Sequence, residues 1–565
     1  MGDPINNLSE VEIIKENSNY LRGTIKEGLE DETTGAITPS DTNLIKFHGS
    51  YQQYDRDLDS ERKRQKLEPL YSFMIRVRLA GGIASSKQWM VIDELSDKYA
   101  NGTIKLTTRQ AFQLHGVYKP KLKKTISEIN LALMDTIAAC GDVNRNVMCN
   151  PNPEQSPVHG EAYEYASLLS KHLTPQTSAY YEIWMDKKLL SGGEKDEEPI
   201  YGKTYLPRKF KIAIAIPPYN DSDVFANDLG LIAIEENGKL TGFNIAIGGG
   251  MGMTFGNPDT YPRLATVIGY IAKDKVIEVA EKIVLVQRDF GNRSDRKNAR
   301  LKYTLDKMGV VALKNEIHKR LGYELEEARP YEFTSNGDVF GWSKDTGNKW
   351  HLTIFIEGGR VKDTETIKLK SALKKIAGFH SGDFRLTGNQ NLIIANISGK
   401  DKQTITKILQ NNNALPNNNL TGLRLNSLAC VALNTCSLAF AEAERYLPSL
   451  LDKLDKIVIA NNIAKEPIVV RMTGCPNGCA RPYLGEIGFV GKAPGRYNLY
   501  LGAGFSGDRL NKLYKENIAE NEILDTLTPI LEDFAKNRET NERFGNFVIR
   551  KGYVKATMEG RDFHN

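Results

Sequence analysis

Four of the six cysteines in this 565-residue chain fall in two short groups near its C-terminal end. Cys430 and Cys436 stand in Leu-Ala-Cys-Val-Ala-Leu-Asn-Thr-Cys, and Cys475 and Cys479 in Thr-Gly-Cys-Pro-Asn-Gly-Cys-Ala-Arg. Thiolates are soft, charged ligands, and four converging on one point hold zinc or an iron–sulfur cluster. Pro476-Asn477-Gly478 is turn chemistry, so Cys475 and Cys479 present their sulfurs from one reverse turn. Structural zinc favours shorter Cys-x2-Cys knuckles, whereas these spacings suit a bulkier 4Fe–4S cube. Spacing alone leaves three readings open: the cluster, zinc, and inert buried thiols. Disulfides fit worst, because no secretory leader is visible and thiols in a reducing compartment stay reduced.

A second set of chemically capable residues is basic. In Met74-Ile-Arg-Val-Arg78, strand periodicity puts Met74, Arg76 and Arg78 on one face. Lys209 and Lys211 share a face in the same way, with Arg208 and Phe210 opposite. Same-face cations on apolar strands are costly unless an anion sits between them; a solvated edge strand is the plain alternative. Thr107, Arg109 and Gln113 read as alternate positions of one strand, with His115 next on that face. The run Arg288, Arg293, Arg296, Lys297, Arg300, Lys302 reads, unaided, as a solvated helix or a nucleic-acid contact.

The elements that must position these residues repeat. Phe73 to Gly82 reads as a strand ending at paired glycines, followed by a helix (Lys87 to Tyr99) and a strand from Gly102 to Gly116. His351 to Gly359, a helix from about Thr366 to Phe379, and Gly382 to Ala395 repeat that order, and Thr107-Thr-Arg-Gln110 matches Thr387-Gly-Asn-Gln390. A second correspondence links Leu206 through Gly250 with Ile468 through Gly504. Two such units imply an internal pseudo-twofold with the active site between the halves. The expected class is α+β with mixed sheets: an N-terminal arm (1–65), paired ferredoxin-like modules (66–140 with 335–420), and two larger α/β modules (141–334 and 421–565). Asn411 to Asn419 reads as a polar loop before the cysteine module.

Composition is that of a soluble globular protein, with 26% charged residues and a net charge of +5. No apolar run approaches a membrane span, and the mild charge argues against a general nucleic-acid binder. The N-terminus, Met-Gly-Asp-Pro-Ile-Asn-Asn-Leu-Ser-Glu, is acidic and polar, which points to the cytoplasm.

Taken together, Cys-x5-Cys with Cys-Pro-Asn-Gly-Cys, Leu-Thr-Thr-Arg-Gln, Asn144-Arg-Asn-Val and Leu-Pro-Arg-Lys-Phe-Lys resemble the sulfite and nitrite reductases that couple sirohaem to a 4Fe–4S cluster. The likeness runs from Asn19-Tyr-Leu-Arg-Gly to the C-terminus and leans toward the NADPH-dependent assimilatory sulfite reductases. It implies that Cys430, Cys436, Cys475 and Cys479 ligate the cluster, with Cys479 also bridging to the sirohaem iron. It implies Arg76, Arg145, Lys209 and Lys211 as the substrate-binding and proton-supplying set, Arg145 on the resemblance alone. Nitrite-reducing relatives tend to carry Asn at the Lys211 position, so the Lys-x-Lys pair favours sulfite. Sirohaem is a polycarboxylate, and Thr107, Arg109, Gln113, Arg208, Asn298, Arg300 and Lys302 are the expected contacts to it. His115 stands beside the site and is not the axial ligand, a role the family gives to cysteine. Cys140, in Ala-Ala-Cys-Gly-Asp, resembles ferredoxin-dependent relatives, some of which carry a Tyr–Cys crosslink; a plain buried cysteine is the simpler expectation.

Gly502-Ala-Gly-Phe-Ser-Gly507 fits G-x-G-x-x-G, follows a strand and precedes a helical pattern from Asp508. Its counterpart Gly248-Gly-Gly-Met-Gly252 lacks the pattern, so it reads as a glycine turn packed near a cofactor. Electrons are therefore expected from a partner, an NADPH-dependent flavoprotein carrying FAD and FMN, with a ferredoxin donor as the alternative. Outside the reductase class, an iron–sulfur nucleic-acid protein and a zinc-stabilised scaffold remain the competitors.

Overall fold

The computed structural model describes residues 7–177, 182–185, 188–192, 196–415 and 420–564. The end of the expected polar loop (416–419) and the first six residues lie outside the described residues.

Two five-stranded sheets realise the first repeat. One runs Ser50–Tyr54, Tyr71–Val77, Phe112–Val117, Ile104–Leu106, Arg360–Val361; the other runs Gly341–Lys344, Trp350–Ile354, Leu392–Ile397, Asp383–Leu386, Ile83–Ser85. The last strand of each sheet comes from the other repeat. Ile83–Ser85 pairs with Asp383–Arg385, and Arg360–Val361 pairs with Ile104–Lys105, both antiparallel. The paired glycines make this exchange possible. Gly81 and Gly82 lie at φ 60° and 78°, Gly358 and Gly359 at 55° and 66°, turning each chain out of its own sheet. A Cβ on Gly82 would meet the Leu386 carbonyl at 2.4 Å, and one on Gly359 the Leu106 carbonyl at 2.5 Å. Helix Ser86–Tyr99, opened by a Ser85–Gln88 capping box, and helix Leu369–Ala377 pack over the sheets, and one apolar core spans both repeats.

The second repeat builds two further sheets. In one, Ile212–Ala215 runs parallel to Leu229–Glu236, which continues antiparallel through Lys239–Ile247 and Thr266–Ala272. In the other, Val470–Thr473 runs parallel to Ile487–Ala493, then antiparallel through Arg496–Leu501 and Lys512–Ile518. Each sheet is backed by a helix, Val276–Phe290 and Glu520–Asn537. The N-terminal arm folds back on the body: Lys15 is fully buried and donates to the Leu206 carbonyl at 2.9 Å.

Two local expectations change. Gly102 to Gly116 is a hairpin, with strands Ile104–Leu106 and Phe112–Val117 joined by the turn Thr107–Gln110, so Thr107 and Arg109 are turn residues. The chain after Gly507 enters strand Lys512–Ile518 instead of a helix, so the glycine run joins two antiparallel strands and lacks the helix N-terminus on which a pyrophosphate would rest.

Candidate active site

Strand Tyr71–Val77 carries Arg76 between Ser50–Tyr54, which supplies Tyr51, and Phe112–Val117, which supplies Gln113. Its guanidinium donates from Nη1 to the Ala139 carbonyl (3.2 Å) and to Cys140 Sγ (3.2 Å). Arg145 is buried and donates to the same carbonyl at 3.3 Å and twice to the Gly141 carbonyl at 2.9 and 2.6 Å. Two like charges thus converge on one carbonyl oxygen, an arrangement that an anion would stabilise. Arg78, expected on the face of Arg76, instead pairs with Asp135 at 3.0 Å beside a separate surface cavity of about 450 Å³.

Lys209 and Lys211 arrive on the extended segment entering strand Ile212–Ala215, pinned through Phe210, which bridges Asn144 in parallel register and is buried. Lys211 N–H donates to Asp228 Oδ2 at 3.0 Å. Both lysines retain accessible surface although they lie deep inside, as residues lining a cleft do. Neither ammonium has a hydrogen-bond or ion-pair partner among the described residues. Burial, then Arg208 and Arg300, lowers the Lys209 pKa to about 7. Burial, then Lys209, Arg109 and Arg300, lowers that of Lys211 well below the usual lysine range.

The expected cofactor cations are placed around the same cleft. Arg109 donates to Asn227 Oδ1 at 2.5 Å and to the Ile212 carbonyl at 2.9 Å, while its buried Nε has no partner. Burial and Arg481 bring its pKa down to about 9, and burial and Arg296 bring that of Arg208 down to about 10. Arg300 is clamped by Asp228 at 3.1 and 2.6 Å. Lys302 spends its donors on the carbonyls of Gly250 (3.1 Å), Gly252 (2.8 Å) and Tyr261. Asn298 donates to Asp295 at 2.8 Å, and Thr107 Oγ1 accepts from the N–H groups of Arg109 and Ala111 at 3.2 Å. Arg208, 3.9 Å from Asp142, keeps donors for a ligand; Arg109, whose Nη2 also donates to the Asn146 carbonyl, keeps only its Nε, and Arg300 and Lys302 hold the protein around the cleft.

Sequence reasoning missed Asp142, which organises much of this charge. It is buried, takes Arg296 bidentately at 2.7 and 2.9 Å, and lies 3.7 Å from Lys15 and 3.9 Å from Arg208. Burial alone would raise its pKa; Arg296, Lys15 and Arg208 overcome that and hold it below the carboxylate range. Lys46 was also missed. Burial and Arg296 lower its pKa to about 8, and it sits over the Tyr51 ring at 5.7 Å.

The cysteine loops close the cleft from the second half. Gly474 N–H donates to Cys430 Sγ (3.4 Å) and Asn477 Nδ2 to Cys475 Sγ (3.5 Å), the kind of N–H contact that supports thiolates. Gly478, at φ 63°, lets the turn pack on Met251, and Met253 N–H donates to the Pro476 carbonyl at 2.9 Å. Burial raises the Cys430 pKa, with Cys479 adding to it, and moves that of Cys475 to about 12. Cys479 is an electrostatic neighbour of the other three cysteines and, among smaller influences, of Arg76, Lys209 and Lys211, and its carbonyl accepts from Thr108 Oγ1 at 2.9 Å, in the turn that carries Arg109. Among the described residues no three of His, Cys, Asp or Glu are placed to hold one metal ion. Four mutually interacting thiols, Cys430 and Cys475 among them with N–H donors, and Cys475 and Cys479 on a turn docked against the half that carries the unpartnered lysines, fit a thiolate-held cluster beside a polyanionic group. Cys140 is a buried thiol whose electrostatic neighbours include Tyr51 and Arg76.

The family described as nitrite/sulfite reductase ferredoxin-like half domain matches residues 65–132 and 343–412, one match on each repeat. The nitrite and sulphite reductase 4Fe-4S domain matches 164–325, the first-half module, which does not contain the four clustered cysteines. The chain has the fold of the NirA protein of Mycobacterium tuberculosis, with a TM-score of 0.77 at 23% identity over 97% of each chain. It is 60% identical over 558 residues (99% of this chain, 97% of the relative) to the sulfite reductase (NADPH) hemoprotein beta-component of Oceanobacillus iheyensis. It is 59% identical over 559 residues (99% and 98%) to that of Staphylococcus saprophyticus. On this identity across nearly the whole length of both chains, the chain belongs to the sulfite reductase hemoprotein beta-component family.

Proposed function

We propose that this chain reduces sulfite to sulfide in the assimilatory, cysteine-forming direction, and that the observation carrying this reading is the docking of the Cys475–Cys479 turn on the first half, where Thr108 Oγ1 donates to the Cys479 carbonyl at 2.9 Å and Met253 N–H to that of Pro476 at 2.9 Å. The family's cofactors are sirohaem and a 4Fe–4S cluster, which would supply the metal site for sulfite and the route by which a donor's electrons reach it. Cys430, Cys436, Cys475 and Cys479 would hold the cluster, and Cys479 would also hold the sirohaem iron. Arg109 and Arg208 would bind the cofactor's carboxylates directly; Thr107, Gln113, Asn298, Arg300 and Lys302 would shape and brace that wall. The module boundaries expected from the repeat are retained as our domain division.

Arg76, Arg145, Lys209 and Lys211 would hold the substrate dianion. Each oxygen leaves as water once protonated, so the pocket must supply protons as well as charge. Lys209 suits proton supply, because a pKa near 7 lets its Nζ hold a proton loosely at neutral pH and regain one from solvent. Burial and the like charges around Lys211 lower its pKa, and an anion beside it would favour its charged form.

Electrons would come from NADPH through a separate flavoprotein partner carrying FAD and FMN; the names of the relatives give NADPH and a beta-component for those proteins. The antiparallel hairpin at Gly502–Gly507 supports a chain without its own dinucleotide site. We place the enzyme in the cytoplasm; no helix among the described residues is long and apolar enough to cross a membrane. The test is the absorption spectrum of the purified protein together with sulfite reduction by reduced viologen. Isobacteriochlorin bands and sulfide release are expected. A colourless protein, or a coloured one inert toward sulfite, would overturn the assignment.

A further inference from the structure

The strand pair that presents Arg76 carries a hydrogen-bonded chain which fixes its orientation. Gln113 lies directly opposite Arg76 in the antiparallel register. With its amide oxygen facing the guanidinium, Gln113 accepts from Arg76 Nε at 3.0 Å and Nη2 at 2.6 Å, and its NH2 donates to His115 Nε2 at 3.2 Å. On its other side, His115 Nδ1 lies 3.4 Å from Gln53 Oε1, on the neighbouring strand Ser50–Tyr54. Every group then has the right sense: Nδ1–H donates to Gln53, Nε2 accepts from Gln113, and the Gln113 oxygen accepts twice from Arg76. The reversed amide would set NH2 against the guanidinium and require a proton on His115 Nε2, leaving Nδ1 facing an oxygen with nothing to donate. Protonating both ring nitrogens is no escape, because burial, then Arg360 and Lys105, lowers the His115 pKa well below its ordinary value.

We propose that His115 is a positioning residue: as the Nδ1–H tautomer it sets the Gln113 amide, which aims the Arg76 guanidinium at the substrate anion. Arg76 is left with Nη1 on the Ala139 carbonyl and Cys140 Sγ and its face over the Tyr51 ring at 5.9 Å, so the hydrogen bonds of its Nε–Nη2 edge go to Gln113. The inference rests on the reading of Arg76 as a substrate contact.

The test compares His115→Leu, His115→Gln and Arg76→Leu in the holoenzyme, by cofactor content, by spectral titration with sulfite, and by titration with carbon monoxide, an uncharged haem ligand. His115→Leu removes the acceptor that holds Gln113. Sulfite affinity is expected to fall about five- to tenfold, with cofactor content and carbon monoxide affinity unchanged. His115→Gln places a carbonyl oxygen near the lost Nε2 and is expected to restore most of the affinity. If Arg76→Leu weakens sulfite binding while His115→Leu does not, the positioning role is wrong and the pocket assignment stands. If Arg76→Leu leaves sulfite binding intact, both fall. Equal losses of sulfite and carbon monoxide binding in the two His115 variants would show a merely structural residue and also overturn the proposal.

Discussion

Lys211→Asn separates charge from hydrogen bonding in the pocket. The backbone at this position is anchored by its N–H to Asp228, itself clamped by Arg300 at 3.1 and 2.6 Å, so the substitution changes little beyond the side chain. The largest electrostatic influences around the lost ammonium are Lys209, Arg109 and Arg300, all of one sign, with Cys479 opposing them. A charge-assisted contact in a water-poor site is worth about 1.5–3 kcal/mol, and each ~1.4 kcal/mol is tenfold. The loss in kcat/KM for sulfite should therefore be about one to two decades. Nitrite has one charge and two oxygens, so its kcat/KM should fall much less or rise. The assay is viologen-driven turnover of both substrates in parent and variant, read as the ratio of the two kcat/KM values. Equal losses for both would mean that Lys211 is not a charge-selective contact.

The same substitution has a stability signature of defined sign. The folded pKa of Lys211 lies below its unfolded value of 10.5, so the unfolded chain binds the extra proton. Anion-free stability of the parent should accordingly rise with pH until that unfolded value is passed. Lys211→Asn lacks this contribution and should melt as high as the parent or higher at neutral pH, with the difference closing above pH about 10.5. A variant that melts lower at pH 7 while losing both activities would mark a folding defect and remove the pocket argument.

Cys479→Ser should lose sulfite reduction and most of the bound sirohaem, since a hydroxyl is a poor bridge to iron; normal cofactor content with normal turnover would disprove the shared-ligand role. The isolated chain should reduce sulfite with reduced viologen yet be inert with NADPH alone; steady NADPH oxidation without a partner would mean that Gly502–Gly507 had been misread. Asp142→Asn should destabilise the fold by about 1–3 kcal/mol, because it takes the carboxylate from the bidentate Arg296 and weakens the charge balance around Lys15, which keeps Glu12; an unchanged chemical denaturation midpoint would show that the arm is not held there. The value of kcat/KM for sulfite should fall as pH rises through about 7, where Lys209 loses its proton, and Lys209→Arg should move that limb upward; an unmoved limb would assign it to the substrate itself.

The strands and the repeat were legible because alternation and paired glycines are local signals. Tyr71–Val77 and Ser86–Tyr99 fall close to where periodicity puts them. The hairpin at Thr107–Gln110 was not legible, because Thr-Thr-Arg-Gln contains none of the usual turn residues. Gln110 occupies φ 51° because its side chain is tied to the Cys149 carbonyl at 2.7 Å and the Leu386 carbonyl at 3.0 Å, a contact made across the two repeats. Lys512–Ile518 follows the same logic: Lys-Leu-Tyr-Lys-Glu-Asn-Ile has no marked strand alternation, and its pairing with Arg496–Leu501 decides its conformation. The two exchanged strands are three and two residues long, too short to show a period. In the site, residue types were readable but their commitments were not. Arg300 and Lys302 look like free cations until Asp228 and three carbonyls are seen around them, and Asp142 gives no hint of partners at Lys15 and Arg296.

The two halves also explain why one asymmetric site forms on a nearly symmetric frame. Asp223 and Arg481 occupy equivalent places, each in left-handed backbone (φ 46° and 52°) just before a short 3-10 turn at Val224–Ala226 or Pro482–Leu484. They pair with each other between the halves, and Arg471 joins Asp223 at 2.6 Å. Arg481 also donates to the Thr108 carbonyl at 2.9 Å and the Gly388 carbonyl at 2.8 Å, corresponding positions in the two repeated turns. One arginine thus fastens both turns at once, two residues beyond Cys479. A strictly symmetric pair would have set acid against acid or base against base in a buried place, where an uncompensated charge is strongly unfavourable. Divergence to one acid and one base turns that repulsion into attraction and fixes the cysteine turn against the first half. The same divergence leaves cations on the approach to strand Ile212–Ala215 and thiols on the exit from Val470–Thr473, so each half brings what the other lacks. Arg481→Met, which keeps bulk and removes the tie, should therefore loosen cluster retention before it unfolds the sheets: iron loss on dilution should accelerate while far-ultraviolet dichroism stays constant. Simultaneous loss of both would place Arg481 in global stability and remove it from the alignment of the halves.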